Sequence, residues 1–190
     1  MEADRRKWNE RYAGAGFLLG TGPSTFLAES IDLLKSRCPG RRALDIACGE
    51  GRNSIFLAQS GFLVTGLDIS EQGLAKARRR ARSEGLTIRF RRTDLEKRTF
   101  AGPFDLIVNI NFLLRGLFPV MVEALSPGGI VLVETLLDGP LAPPTTNRSF
   151  LLQQGELEQL FCSLPGSILH ASESPQASSP SARLIFQKEG

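Results

Sequence analysis

The sequence predicts an α/β fold: one mostly parallel sheet with helices on both faces. Three observations predict it. Apolar runs alternate with helical periodicities from residue 42 to residue 135. Serine, glycine and proline stand at the junctions between them. The 190 residues, 42% hydrophobic and 23% charged, suit a single compact core.

Residues 6–13 are polar and charged, and Trp8 and Tyr12, four apart, would share one helical face. Beyond a glycine-rich turn at 16–23, Ser24 is placed to cap a helix carrying Phe26, Leu27, Ile31, Leu33 and Leu34, which should end near Pro39-Gly40. The elements that follow are a strand at 42–47, a helix at 52–59, a strand at 62–67, a helix at 71–83 and a strand at 87–91. A strand at 104–110, a helix at 116–125 and a strand at 129–135 continue the pattern. Gly61 stops the first of these helices, Ser70 starts the next, and Pro127-Gly128-Gly129 separates the last helix from its strand. LLDGPLAPPTTNRSF is then a long Pro-rich loop, GELEQLFCSL a short helix, and strands near 167–171 and 183–187 close the sheet as a hairpin. No repeat interrupts the chain, so residues 1–190 read as a single domain: 1–23 an amino-terminal segment, 24–135 the α/β core, 136–190 the terminal loop and hairpin.

Bulk properties narrow the function. A net charge of +3 is far from that of a dedicated nucleic-acid binder. The run KARRRARSEG, with Arg89, Arg91 and Arg92 nearby, reads as a solvated basic face because it lies toward a helix carboxyl terminus. Cys38, Cys48 and Cys162 form no CxxC pair, which suggests neither a disulfide framework nor a zinc cluster and suits a reducing cytoplasm. MEADRRKWNERY lacks the apolar stretch of a secretory signal, and no apolar run reaches membrane-spanning length, so a cytoplasmic protein without membrane contact is expected.

LDIACGEGRNS, residues 44–54, carries the chemistry. Glycines between a strand and a helix let backbone N–H groups approach a ligand closely, at the carboxyl ends of the strands where an open sheet binds. Asp68, seventeen positions after Gly51 at the end of the next strand, suits the two hydroxyls of a ribose and so an adenosine-containing ligand. No GxxxxGK[ST] string occurs, which disfavours a nucleotide triphosphatase, and Gly49 to Ser54 matches a dinucleotide fingerprint imperfectly. A nicotinamide-dependent oxidoreductase is the competing enzyme reading. A cofactor-binding regulatory or RNA-associated protein is the non-enzymatic one.

Asp45, ACGEG at 47–51, Asp68, TDLE at 93–96, FDLIVNINFLL at 104–114 and LSPGGIVLVE at 125–134 together resemble a class I S-adenosylmethionine-dependent methyltransferase over nearly the whole chain. CGEGRNSIFLAQSGFLVTGLDIS, WNERY and NRSFLLQQGELEQLF look like the small tellurite-resistance type. The resemblance implies a Rossmann-like, seven-stranded sheet with an antiparallel last strand, S-adenosylmethionine as cofactor, S-adenosylhomocysteine as product, and no metal. It puts Ala47, Cys48, Gly49, Glu50 and Gly51, headed by Asp45, under the methionine part, with Arg52 or Asn53 on its carboxylate. It puts Asp68 on the ribose, Ile69 on the adenine, Asp94 and Leu95 (after Thr93) at the adenine edge, and Asn109 near the sulfonium. Trp8 and Tyr12 would belong to a lid over the cofactor, or to a plain amphipathic helix packed on the sheet edge. One departure is Ala47, where the family's usual first glycine stands.

The reaction is an in-line displacement, in which positioning supplies most of the acceleration and a base is optional. The acceptor is expected to be a small molecule, through sulfur, oxygen, nitrogen or a chalcogen. Candidate residues on the acceptor side are Asn111, Arg148, His170 and Arg183, none with an assigned catalytic role. NINF lacks the two prolines of nucleobase amino-methylases, which disfavours base N-methylation, and with the modest net charge a nucleic-acid partner is not expected. SESPQASSPSAR is shorter than the matching region of the tellurite-resistance type and lacks its histidine, which argues against chalcogen-oxyanion specificity. The chain is expected to act as a monomer or homodimer.

Overall fold

The structure is a computed structural model that describes residues 2–97, 100–141 and 147–190. Its helices are α1 (Glu2–Tyr12), α2 (Thr25–Arg37), α3 (Arg52–Gln59), α4 (Glu71–Ser83), α5 (Phe118–Glu123) and α6 (Glu156–Cys162). Its strands are β1 (Arg42–Ile46), β2 (Leu63–Asp68), β3 (Arg89–Arg92), β4 (Phe104–Ile110), β5 (Leu125–Leu136), β6 (Gly166–Ser174) and β7 (Ser181–Lys188). They form one sheet in the order β3-β2-β1-β4-β5-β7-β6, with β7 antiparallel to both neighbours and every other pairing parallel.

Alternation along the strands builds two cores. Ala43, Val64, Leu106, Val108, Ile130 and Leu132 face α2 and α3 and pack on Phe26, Leu27, Leu34 and Leu57. Leu44, Ile46, Ile107, Val131 and Val133 face the other way, onto Phe118, Met121, Leu157 and Phe161 of α5 and α6. Leu74, Ala77 and Ala81 of α4 cover Phe90. Ser24 caps α2 by accepting from Leu27 N–H at 3.4 Å, and Ser70 caps α4 by accepting from Gly73 N–H at 3.1 Å, as their positions predict.

Several boundaries differ from the sequence expectation. Pro127-Gly128-Gly129 does not precede the fifth strand but lies within it: Leu125 already pairs with Phe104, and the register shifts between Phe104 and Leu106. The extra residues bulge, with Gly128 at φ +73° and its carbonyl accepting from Gln187 Nε2 at 2.9 Å. The helix expected at 116–125 is a 3-10 turn, Arg115–Leu117, followed by the six residues of α5. β6 is longer than expected, which puts His170 in mid-strand rather than at a strand end. Residues 142–146, the centre of the Pro-rich loop, lie outside the described residues.

Among the described residues no helix is long and apolar enough to cross a membrane.

Candidate functional site

The sheet order reverses between β1 and β4, and a crevice opens there at the strands' carboxyl ends. The turn after β1 enters it with left-handed backbone at Ala47 (φ +51°), Gly49 (+53°) and Gly51 (+80°). A Cβ on Gly51 would lie 2.8 Å from that of Ala77, so close packing on α4 and the backbone angle both require glycine. The turn is pinned from outside by Cys48 N–H donating to Leu67 C=O at 2.9 Å.

Two buried carboxylates set the electrostatics. Asp68 accepts from Gly49 N–H at 2.7 Å with one oxygen and from Ser70 N–H at 2.8 Å with the other. Burial raises its pKa above the ordinary carboxylate value, against those two N–H groups, which lower it. Asp45 accepts from Ser54 Oγ at 2.5 Å, and burial is the main cause that pushes its carboxyl up to about 7. Burial also drives the Cys48 thiol well above its usual range, so it is an inert wall of the turn.

The amino-terminal segment covers this turn. Tyr12 is buried with its hydroxyl against Gly49, and burial followed by the Asp68 and Glu50 charges raises its pKa. Trp8 stacks on Tyr12 at 5.5 Å between ring centroids, and Arg11 lies 4.8 Å over Trp8. Asn9 fastens α1 to the start of α4: Oδ1 accepts from Ser70 Oγ at 2.7 Å and Gln72 N–H at 3.2 Å, and Nδ2 donates to Glu71 at 3.1 Å. Arg5 and Arg92 pair with the same Glu71. Glu50 accepts from Leu18 N–H at 2.7 Å and pairs with Lys76 at 2.8 Å.

Tyr12, Leu19, Gly20, Ala47 to Glu50, Arg52, Asn53, Ile110 and Asn111 line the pocket, whose cavity is about 40 Å³. Small-ligand pockets run to roughly 300–1,000 Å³. An adenosyl ligand therefore needs more room than this arrangement of Tyr12, Leu19 and Gly20 around the turn leaves. The residues present still fit such a ligand: a carboxylate oriented beside the turn, a glycine turn without side chains at 49 and 51, and Arg52 and Asn53 at the first turn of α3.

Of the expected cofactor residues, Tyr12, Ala47, Cys48, Gly49, Glu50, Arg52 and Asn53 line the pocket, whereas Trp8, Asp45, Gly51, Asp68, Ile69, Thr93, Asp94 and Leu95 lie outside its lining. Asn109 does not line the pocket. It is fully buried on the α5 face, with neither side-chain polar atom bonded to a protein group, while Ile110 and Asn111 line the wall. Thr93 N–H donates to Asp68 C=O at 2.8 Å, Ile69 is half-buried, Asp94 accepts from Glu96 N–H at 3.2 Å, and Leu95 is buried in the core. Asn111 is exposed at φ +59°, an angle that Asn tolerates.

On the acceptor side, Arg183 Nε donates to Glu134 at 2.8 Å and its guanidinium lies 5.3 Å over Phe26. Ser24 Oγ donates to the other Glu134 oxygen at 2.5 Å, and Ser24 N–H donates to Asn53 at 2.9 Å. His170 is exposed, its ring 5.6 Å from Phe26 and Nε2 3.0 Å from Ser172 Oγ. Arg148 pairs with Asp138 at 2.5 Å, away from the pocket lining. Sequence reasoning missed Glu134 and Lys76 and gave Ser24 only its capping role. Ser24 and Glu134 are 110 positions apart, and no local pattern signals such a pair. Among the described residues no group of three or more His, Cys, Asp or Glu side chains is arranged to hold a metal ion.

Residues 43–129 match the family described as a methyltransferase domain. The chain is 38% identical over 110 residues to a ubiquinone biosynthesis O-methyltransferase of Nitrosococcus oceani, covering 54% of this chain and 47% of that protein. It is 33% identical over 136 residues to the putative methyltransferase YqeM of Bacillus subtilis, covering 66% and 55%. The chain thus spans about half the length of the curated relatives it matches. Its fold is that of magnesium protoporphyrin IX methyltransferase from Synechocystis PCC 6803 solved with bound SAM (TM-score 0.75, 20% identity, 99% and 96% of the two chains). It is also that of TehB from Haemophilus influenzae (TM-score 0.71, 21% identity, 97% and 67%).

Proposed function

We propose that this chain, which carries a methyltransferase domain of the class I S-adenosylmethionine-dependent fold, transfers a methyl group to a small-molecule acceptor. The observation that carries the reading is Asp68. Its carboxylate closes β2 beside the glycine turn, with both oxygens oriented by backbone N–H groups and lone pairs left for two ribose hydroxyls. Arg52 and Asn53 hold the carboxylate of the methionine part, Ile69 packs on the adenine, and Asp94 reads its edge. Residues 1–23 cover the cofactor, 24–135 bind it, and 136–190 flank the acceptor. The three cysteines, all free, suit a reducing cytoplasm.

S-Adenosylmethionine supplies a methyl group on a sulfonium leaving group. The protein's part is to orient the acceptor and exclude water, and well-placed reactants reach effective molarities on the order of 10⁵ M or more. Leu19, Ile110 and Asn111 at the pocket wall carry no carboxylate or imidazole, and the Glu50 carboxylate in the same lining is committed to Leu18 N–H and Lys76. Glu134 has its two oxygens committed to Ser24 and Arg183. These features favour an acceptor that arrives ionised, a thiolate or an oxyanion. The name of the Nitrosococcus oceani relative adds hydroxyl oxygen to the candidates.

Calorimetric titration with S-adenosylmethionine, S-adenosylhomocysteine and NADH tests the cofactor. Saturable binding of both adenosyl ligands, lost in Asp68→Ala, supports the reading and opens a screen of thiols, chalcogen oxyanions and hydroxyl-bearing quinone precursors. Binding of NADH alone overturns it.

A further inference from the structure

The segment between α1 and α2, residues 13–23, has little apolar packing to hold it. Leu18 and Leu19 are 41% and 53% exposed, and a Cβ added at Gly14, Gly16, Gly20 or Gly22 would meet nothing within 4 Å. Glycines in open space leave an unfolded or detached loop with many conformations, so its order depends on tethers. Three polar tethers are present. Lys76 Nζ donates to Gly16 C=O at 2.6 Å, Glu50 accepts from Leu18 N–H at 2.7 Å, and Arg80 donates to Thr21 C=O at 2.8 Å. The Phe17 ring lies between the two cations, 5.8 Å from Lys76 Nζ and 5.9 Å from Arg80 Cζ.

One ion pair holds the first two tethers together. Lys76 and Glu50 are 2.8 Å apart with side chains 12% and 6% exposed. A pair this shielded from water is weakly screened, and removing one partner leaves the other charge buried and uncompensated. Glu50 is also the middle residue of the glycine turn, and the loop it holds brings Leu19 and Gly20 to the pocket. The same carboxylate therefore joins the loop to the turn.

We propose that Lys76 is a positioning residue: by clamping Glu50 it fixes residues 16–18 on the glycine turn, and thereby sets how firmly an adenosyl ligand is retained beneath Leu19 and Gly20. Glu50 acts as the latch of this loop, with both oxygens engaged, rather than as a ligand of the cofactor. Lys76 has left the solvated basic face that its sequence neighbours form. The inference rests on the cofactor reading above, but its first consequence exists without any cofactor.

The test uses Lys76→Met, which keeps the aliphatic stem beside Phe17 and removes the ammonium. Lys76→Arg serves as the conservative variant, and Arg79→Ala as a control at an exposed position of the same helix. Limited chymotrypsin digestion of the cofactor-free protein reads opening of the loop through cleavage at Phe17 to Leu19, because cleavage tracks the open population when reclosing is fast. Lys76→Met should be cleaved about tenfold faster or more, the result of losing one buried charge pair. Lys76→Arg and Arg79→Ala should stay near the wild-type rate. S-Adenosylhomocysteine should then bind Lys76→Met more weakly by a similar factor. Glu50→Gln, which keeps an acceptor for Leu18 N–H, should behave like Lys76→Met and guards against a folding defect in either variant alone. Cleavage of Lys76→Met at the wild-type rate would overturn the latch, and faster cleavage with unchanged affinity would overturn its role in retention. If the wild type itself fails to bind S-adenosylhomocysteine, the cofactor reading falls and retention with it, while the cleavage ratio still decides whether Lys76 holds the loop.

Discussion

Ala47 holds a left-handed backbone angle, φ +51°, that costs an L-residue roughly 1–2 kcal/mol relative to ordinary helical or extended values. Glycine would relieve that strain but would lose the methyl contact with the core and gain unfolded-state entropy, so the opposing terms nearly cancel. Ala47→Gly should shift stability by less than about 1 kcal/mol and leave cofactor affinity intact, whereas Ala47→Val, with a branched Cβ, should cost more than about 2 kcal/mol. Thermal unfolding of the two variants separates them; equal midpoints would mean the turn is not strained. Asp45 gives a pH signature. Its carboxyl titrates near 7 in the folded chain against about 3.9 when unfolded, so the folded state holds the extra proton between those values. Stability from this group is complete below about pH 4 and is lost as pH rises through 7, on the order of 4 kcal/mol by pH 8. Asp45→Asn, which can still accept from Ser54, should flatten that slope. Unchanged pH dependence of urea unfolding would refute the assignment. At this scale the sequence made legible what residue type and spacing decide, namely Gly49, Gly51 and Asp68. It hid orientation: Asn109 and Ile110 are adjacent, and only the strand's alternation with its partners decides which of them lines the pocket.

α1 differs from the other helices in what holds it. Its one buried residue is Tyr12, and its remaining ties to α4 are polar, through Asn9 and Arg5. α2, by contrast, buries Phe26, Leu27, Ser30 and Leu34. Elements with few apolar contacts open at low free energy, and this one, through Tyr12, lines a pocket smaller than an adenosyl ligand. Amide hydrogen exchange should therefore be fast in residues 2–12 and slow in 25–37 of the cofactor-free protein, with S-adenosylhomocysteine slowing the first set. Equal protection of the two helices without ligand would rule out α1 as a moving cover. The sequence made this helix visible as a polar stretch with Trp8 and Tyr12 on one face, yet left open whether it was lid or edge packing, because its partners lie some sixty positions away in α4. Pro127-Gly128-Gly129 shows the converse limit. These residues signal a break locally, but Leu125 has a strand partner in Phe104, and a bulge satisfies both demands.

Across the whole molecule, the two ends of the sheet have different work, and two aspartates mark it. Asp68 stands at the carboxyl end of β2, where it accepts from Gly49 N–H of the pocket turn. Asp105 stands at the amino end of β4, where one oxygen accepts from Arg42 N–H at 2.8 Å and the other from Ser126 Oγ at 2.9 Å, tying the starts of β1, β4 and β5. The carboxylate fits there because residue 40 has no side chain: a Cβ on Gly40 would come within 2.5 Å of Asp105 Oδ2. Spacing alone does not distinguish the two acids, since each borders a parallel strand. The sheet order distinguishes them, because only the carboxyl ends converge on the crevice. Asp105→Ala removes the acceptor of a part-buried N–H and a part-buried hydroxyl and should cost about 1–3 kcal/mol, a fall of roughly 2–12 °C in midpoint for a chain of this size. Its affinity for S-adenosylhomocysteine, measured while it is still folded, should match the wild type. Asp68→Ala should bind that ligand about a hundredfold more weakly, or worse, from the loss of charge-assisted bonds to the ribose. A variant of Asp105 that lost affinity as steeply as Asp68→Ala would mean that the amino end of the sheet is coupled to the crevice, and that the division of labour between the two ends is wrong.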